Sequence, residues 1–145
     1  LKDSKDIYLV GRGIHFPIAL EGALKVKELA YVHAEGLPAG ELKHGTLALI
    51  EKGTPVIVLN PSDETYVDTL SNCQELKARG ATVIGISDRH HPSYDFFVRV
   101  PRTSSKFASV LLEVIPLQLL AYYMALERGA EIDRPRNLAK SVTVK

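Results

Sequence analysis

Four short apolar runs constrain the fold of this chain more than any other feature. They are Ile7-Tyr8-Leu9-Val10, Pro55-Val56-Ile57-Val58-Leu59, Ala81-Thr82-Val83-Ile84-Gly85-Ile86 and Phe96-Phe97-Val98-Arg99-Val100. Each is bounded by glycine, proline or polar residues, which is the pattern of a buried strand. Helical segments separate several of them: one opens near Pro17 and runs through residue 30, one covers 63–79, and one covers 105–128. Strands apolar on both faces need cover on both faces, and alternating helices supply it. The expectation is an α/β fold with a mostly parallel sheet and helices on both sides. A fifth strand has room in segments that read as loop.

The connections carry their own signals. Gly11-Arg12-Gly13 is a tight turn between the first strand and first helix, and Pro17 suits that helix's first turn. A glycine turn of this kind is where α/β sheets commonly bind ligands. The third glycine of a dinucleotide fingerprint is missing, so no nicotinamide cofactor is implied. Glu35 to Gly40, with Gly36 and Pro38, reads as a turn region. Gly40-Glu41-Leu42-Lys43-His44-Gly45 reads as a flexible glycine-bounded loop offering a histidine, and the residues after it as a helical turn. Pro116 is expected to kink the long helix or mark its first turn, and Gly129 to close it.

Composition excludes several classes. The chain has 145 residues, 46% hydrophobic and 24% charged, enough for one domain with its own core. A net charge of +1 gives no broad field for nucleic acid. The single cysteine, Cys73, rules out an internal disulfide and reads as a packed thiol. The adjacent His90 and His91 lack the further ligands of a metal site and read as a solvated loop. No apolar run reaches the roughly 18 residues that span a bilayer, and no signal peptide is visible, so the expected location is cytoplasmic. The start at Leu1, with Met124 the sole methionine, points to a piece of a longer polypeptide.

The first helix holds the candidate chemistry. Glu21, Lys25 and Glu28 stand at i, i+4 and i+7 and share one face. Ile18, Leu20, Ala23, Leu24, Val26, Leu29 and Ala30 make the rest of the helix apolar nearly all round. Such a helix is normally buried, so an acid–base–acid stripe on it would line a cleft. The plainer alternative is a solvated face in which Glu21 and Lys25 form an ordinary helix pair worth about 0.2–0.5 kcal/mol.

Three motifs decide between them. Leu20-Glu21-Gly22-Ala23-Leu24-Lys25-Val26-Lys27-Glu28, Gly40-Glu41-Leu42-Lys43-His44-Gly45 and Pro135-Arg136-Asn137-Leu138-Ala139-Lys140-Ser141-Val142-Thr143-Val144 together resemble the glucosamine-6-phosphate synthase family, the isomerising glutamine–fructose-6-phosphate aminotransferases. The resemblance runs in order along essentially the whole chain. It implies the second sugar-isomerase (SIS) domain, residues 1–132, followed by a C-terminal tail, 133–145, that carries the active-site lysine. It also implies a three-layer α-β-α sandwich of flavodoxin-like type around a five-stranded, mostly parallel sheet. The implied reaction converts fructose 6-phosphate and glutamine to glucosamine 6-phosphate and glutamate, the entry to UDP-N-acetylglucosamine, without a cofactor or metal. The implied partners are a sister SIS domain, a glutaminase domain and a second subunit, with neither nucleic acid nor membrane.

Residue roles follow from the same resemblance. Lys140 matches the lysine that forms a Schiff base with the open-chain ketone. Glu28 matches the base that moves a proton between C1 and C2, Lys25 the lysine assisting at the sugar oxygens, and Glu21 a supporting carboxylate. His44 matches the ring-opening histidine, which serves the neighbouring subunit's site. The residue types suit that chemistry, because a ketose–aldose shift needs a carboxylate base and a nearby cation for the developing oxyanion.

Features absent from the chain matter equally. It has no cysteine near its start, so ammonia release is expected from another domain. Where a phosphate-gripping loop would be rich in Ser and Thr, the chain reads Asn60-Pro61-Ser62-Asp63-Glu64-Thr65, and Asp63 and Glu64 would repel a phosphate. The isolated domain is therefore expected to be inactive or nearly so. Two rivals remain open at this point: a sugar-phosphate-binding SIS module with a regulatory role, and a purely structural dimerisation domain.

Overall fold

Alternation along the strands feeds two separate cores. The structure, a computed structural model, describes residues 1–138. Its strands are β1 (Asp6–Gly11), β2 (His33–Pro38), β3 (Pro55–Leu59), β4 (Thr82–Ser87) and β5 (Phe96–Arg99). They form one all-parallel sheet in the order β2-β1-β3-β4-β5. Leu9 lies beside Gly36 on one side and Ile57 on the other. Ile7, Leu9, Ile57, Leu59, Ile84 and Ile86 point to one face, while Tyr8, Val10, Val56, Val58 and Val83 point to the other.

Helices cover both faces. Helices α1 (His15–Lys25) and α3 (Lys106–Glu127) pack on the first. Helix α2 (Tyr66–Ala78) and the 3-10 turn Ala39–His44 pack on the second, through Cys73, Leu76 and Leu42. The result is the expected three-layer α-β-α sandwich with a five-stranded parallel sheet.

The segment expected as a turn between Glu35 and Gly40 is instead mostly strand β2, which pairs with β1 from Asp6↔His33 to Gly11↔Pro38. Its Glu, Gly and Pro disguise it, and all three are tolerated because β2 is an edge strand. Gly36 is there for space. A Cβ at this position would stand 2.7 Å from the backbone of Leu20, so α1 crosses β2 in near contact. Gly36→Ala is expected to force helix and strand apart and to cost about 1–3 kcal/mol, the range for overpacking. A thermal melt should register that loss as a fall of several degrees, and an unchanged melt would contradict the close approach.

Two further expectations are corrected. The segment 40–45 is not a flexible loop, since Ala39–His44 is a 3-10 turn anchored by fully buried Leu42. A segment long and apolar enough to cross a bilayer also exists. Helix α3 has 22 residues and a mean hydropathy of 1.6 over 18 of them. Leu117, Ala121, Met124 and Ala125 seat it on the sheet, and Pro116 lies inside it. Its outer face carries Phe107, Leu111, Ile115, Leu119, Tyr122 and Leu126, spaced three or four apart and all exposed. This is one continuous apolar stripe.

Candidate functional site

The acid–base–acid stripe assembles around Lys25. Its Nζ is 2.6 Å from Glu28 Oε2 and 3.6 Å from Glu21 Oε1. Regular α-helix stops at Lys25, and Val26–Ala30 continues as a wider π-helical turn that carries Glu28. Turns of this kind are frequent at functional sites. Tyr31 ends it in the left-handed region, with φ 55°. A non-glycine residue there is uncommon.

The stripe is neither a free surface nor a closed cleft. The side chains of Lys25 and Glu28 are 28% and 29% exposed, and that of Glu21 is 41% exposed. The expectation of a helix buried all round is corrected, because Leu20 and Leu24 are also exposed. His15, Ala19, Gly22, Ala23, Val26 and Ala30 are buried, and Ile18 and Leu29 pack partly buried against the same core. The Glu28 hydrogen bond raises the Lys25 pKa against partial burial, and the charges of Glu28 and Glu21 add to it. Lys25 is therefore a firmly charged ammonium, fitted to stabilise negative charge rather than to accept a proton.

His44 is not joined to this cluster. It stands exposed on the 3-10 turn and bonds Glu41 at 2.7 Å, and neighbouring Leu42 belongs to the core layer opposite α1. Lys140 lies outside the described residues. The tail leading to it touches the end of the π-helical turn. The Arg136 guanidinium stacks 4.1 Å from the centre of the Tyr31 ring, and the Arg136 N–H donates to the Tyr31 hydroxyl at 2.9 Å.

A second polar constellation, not foreseen in the sequence, sits at the other end of α1. His15 is 1% exposed and lies between two carboxylates. One ring nitrogen is 2.8 Å from Glu113 of α3 and the other is 2.9 Å from Asp63 in the β3–α2 loop. Glu113 is wholly buried and also accepts from Ser109, while Asp63 accepts from the Thr65 N–H and hydroxyl. Burial opposes charge on His15, but the two carboxylates outweigh it and raise its pKa. Both ring nitrogens face acceptors, so the imidazolium is the form that satisfies the geometry.

This group borders a cleft of about 490 Å³ beyond the C-terminal ends of β3 and β4, lined also by Ser62, Asp88, Arg102 and Lys106. The position is the usual ligand crevice of an open α/β sheet. Its carboxylates are already engaged: Asp63 by His15, Glu64 by Lys106, and Asp88 by the Ser62 N–H. The repulsion expected of Asp63 and Glu64 is thus largely countered within the protein. Because α1 returns antiparallel to the strands, Glu28 lies towards the sheet's opposite end.

The remaining sequence candidates have structural roles. Cys73 is fully buried, and burial pushes its thiol up to about 12. His90 packs edge-on against Phe97, and His91 packs edge-on against Tyr94.

Comparison with known proteins agrees with this architecture. The SIS domain model matches residues 1–128. The chain is 55% identical over 146 residues to a glutamine–fructose-6-phosphate aminotransferase (isomerizing) of Pyrococcus horikoshii, and 55% identical to that of Thermococcus kodakarensis. Each alignment takes in 99% of this chain but 24% of the relative, so the chain spans about a quarter of their length. Among solved structures, the C-terminal domain of glucosamine-fructose-6-phosphate aminotransferase from Francisella tularensis superposes with a TM-score of 0.85. It is 39% identical, over 92% of this chain and 38% of that one. A glucosamine-6-phosphate deaminase from Thermotoga maritima has a TM-score of 0.76 at 30% identity, over 97% of this chain and 41% of its own. With five parallel strands in this arrangement and a family match over residues 1–128, the chain belongs to the SIS-domain family.

Proposed function

We propose that this chain supplies one half of the sugar-isomerising site of a glutamine–fructose-6-phosphate aminotransferase. The observation that carries the reading is the Glu21–Lys25–Glu28 cluster, with Lys25 held between two carboxylates on a π-helical turn. Glu28 is the base that takes a proton from C1 of the open-chain ketose, whose C2 carries none, and returns it to C2. Lys25, kept charged by both carboxylates, stabilises the enolate-like sugar oxygen on which negative charge develops between these steps. Glu21 holds Lys25 from its other side. Lys140, in the tail 133–145, attacks the ketone as a free amine and forms the Schiff base. His44 faces away from this cluster and acts in the site of a second subunit.

The partners follow the same reading. A half-exposed cluster does not enclose a sugar, so the other wall and the phosphate grip belong to a sister SIS domain. The apolar stripe on α3 supports a covering partner of that kind, because such a face is costly to leave in water. A glutaminase domain delivers the ammonia. The proton-transfer set favours this reading over a regulatory sugar-phosphate module, which needs no base.

The test is a full-length hybrid in which this chain replaces the matching quarter of the Pyrococcus horikoshii aminotransferase. Glucosamine 6-phosphate formation from fructose 6-phosphate and glutamine is expected, with none from this chain alone. A folded hybrid that hydrolyses glutamine but makes no aminosugar would overturn the proposal.

A further inference from the structure

The 3-10 turn that carries His44 is held at both ends as well as by its buried Leu42. At one end the Arg12 guanidinium lies against Gly40. A Cβ at Gly40 would stand 3.6 Å from both terminal nitrogens of that group and 3.7 Å from its central carbon. At the other end Lys43 Nζ is 2.7 Å from Glu75 Oε1. Helix α2 joins the two ends. Arg12 Nε donates to Asn72 Oδ1 at 3.1 Å, and Asn72 Nδ2 donates to Glu75 Oε2 at 3.3 Å. Asn72 is 3% exposed, so the link runs inside the protein, where a polar side chain needs its partners. A closed circuit results: Gly40, Arg12, Asn72, Glu75, Lys43 and back along the turn.

We propose that Arg12, Asn72 and Glu75 form a clamp that fixes this turn and positions His44 for the neighbouring subunit. The inference rests on the functional reading above for what His44 does, but the clamp itself stands independently of it. The His44 side chain is 71% exposed, so packing around it does little to fix its place. A catalytic group offered outward must then be placed by the backbone beneath it. A loose turn would have to be ordered each time it met the other subunit, at an entropic cost. A turn ordered in advance avoids that cost and keeps the imidazole in register with the sugar. The side-chain bonds of the three clamp residues go to one another, to the turn and to Asp68, 3.8 Å from Arg12. None goes to the Glu21–Lys25–Glu28 cluster, so the clamp acts through the turn.

Two variants open the clamp from opposite ends. Arg12→Leu releases Gly40 and Glu75→Ala releases Lys43, and using both guards against one that fails to fold. In this chain, amide hydrogen exchange at residues 42–44 is expected to speed by about tenfold in each, the effect of losing a charged hydrogen bond on local opening. Exchange in β1 and β3 should stay as in the wild type. Unchanged exchange at 42–44 in both variants would overturn the clamp.

The functional arm uses the full-length hybrid. Aminosugar formation is expected to fall roughly ten- to hundredfold in each variant, as for a displaced catalytic group. Unchanged rates in both would overturn the positioning role. Coexpression separates a defect in the neighbour's site from one in the subunit's own. A dimer of Arg12→Leu with Glu28→Gln pairs the intact Glu28 of one subunit with the intact His44 turn of the other. Random assembly should therefore restore about a quarter of wild-type activity. His44→Ala with Glu28→Gln is the control. Recovery in the control but not with Arg12→Leu would overturn the positioning role. If the control itself does not recover, the functional reading of His44 fails and the positioning role falls with it. The exchange arm distinguishes that case from an open clamp.

Discussion

In the full-length hybrid, Glu28→Gln should lower glucosamine 6-phosphate formation by about 10²–10⁴-fold, the usual contribution of a positioned general base. Glutamine hydrolysis should be unchanged. Gln has nearly the same size as Glu and can still hydrogen bond to Lys25, so the fold of the π-helical turn is preserved. It cannot accept the carbon-bound proton. The substitution also leaves Lys25 with Glu21 as its remaining charged partner, at 3.6 Å, so part of the electrostatic setting survives while the base is lost. A variant that retains aminosugar synthesis within a factor of a few would exclude Glu28 as the base. Proton exchange at C1 and C2 in deuterated water offers an independent reading of the same step, because it isolates the proton transfer from ammonia delivery.

Legibility in the sequence followed burial. β1, β3 and β4 are apolar on both faces, so their runs mark them within one residue of their observed limits. β2 lies at the sheet edge and carries Glu35, Gly36 and Pro38, residues that speak for a turn when read alone. Only the close approach of α1 explains the glycine. The Glu21–Lys25–Glu28 stripe was legible because its members are three and four residues apart on one helix. Their exposure was not, because Leu20 and Leu24 face outward where a buried helix was expected. Long-range pairs left weaker traces. Arg136 and Tyr31 are 105 residues apart, and nothing local marks either one. The buried trio did leave one sign. Glu113 is a lone carboxylate within Val-Leu-Leu-Glu-Val-Ile-Pro-Leu, and a charge there demands a partner.

That demand makes Glu113→Ala the most damaging single change expected for stability. Glu113 is wholly buried, and His15 beside it is 1% exposed. Removing the carboxylate leaves a buried imidazolium with Asp63 as its one counter-charge, and breaking a buried pair this way costs about 3–5 kcal/mol. At about 2–4 °C per kcal/mol for a chain of this size, the melting temperature should fall by roughly 10 °C. Replacing both members, His15→Leu with Glu113→Leu, removes the uncompensated charge and should recover much of the loss. The pH dependence carries a sign of its own. Because the His15 pKa is raised, the trio's contribution is complete below the ordinary histidine range and declines as pH climbs through the raised value. Asp63 is the acid limb. Burial opposes its charge, but the His15 and Thr65 hydrogen bonds hold its pKa below the usual carboxylate range. Its contribution is therefore complete above that range and is lost as pH falls through the depressed value. Wild-type stability should decline on the alkaline side of this window, whereas the double variant should lack that limb. Melts across the histidine range would register both effects. A Glu113→Ala variant within 1 kcal/mol of wild type would mean that His15 is neutral in the folded protein and that Asp63 alone holds it.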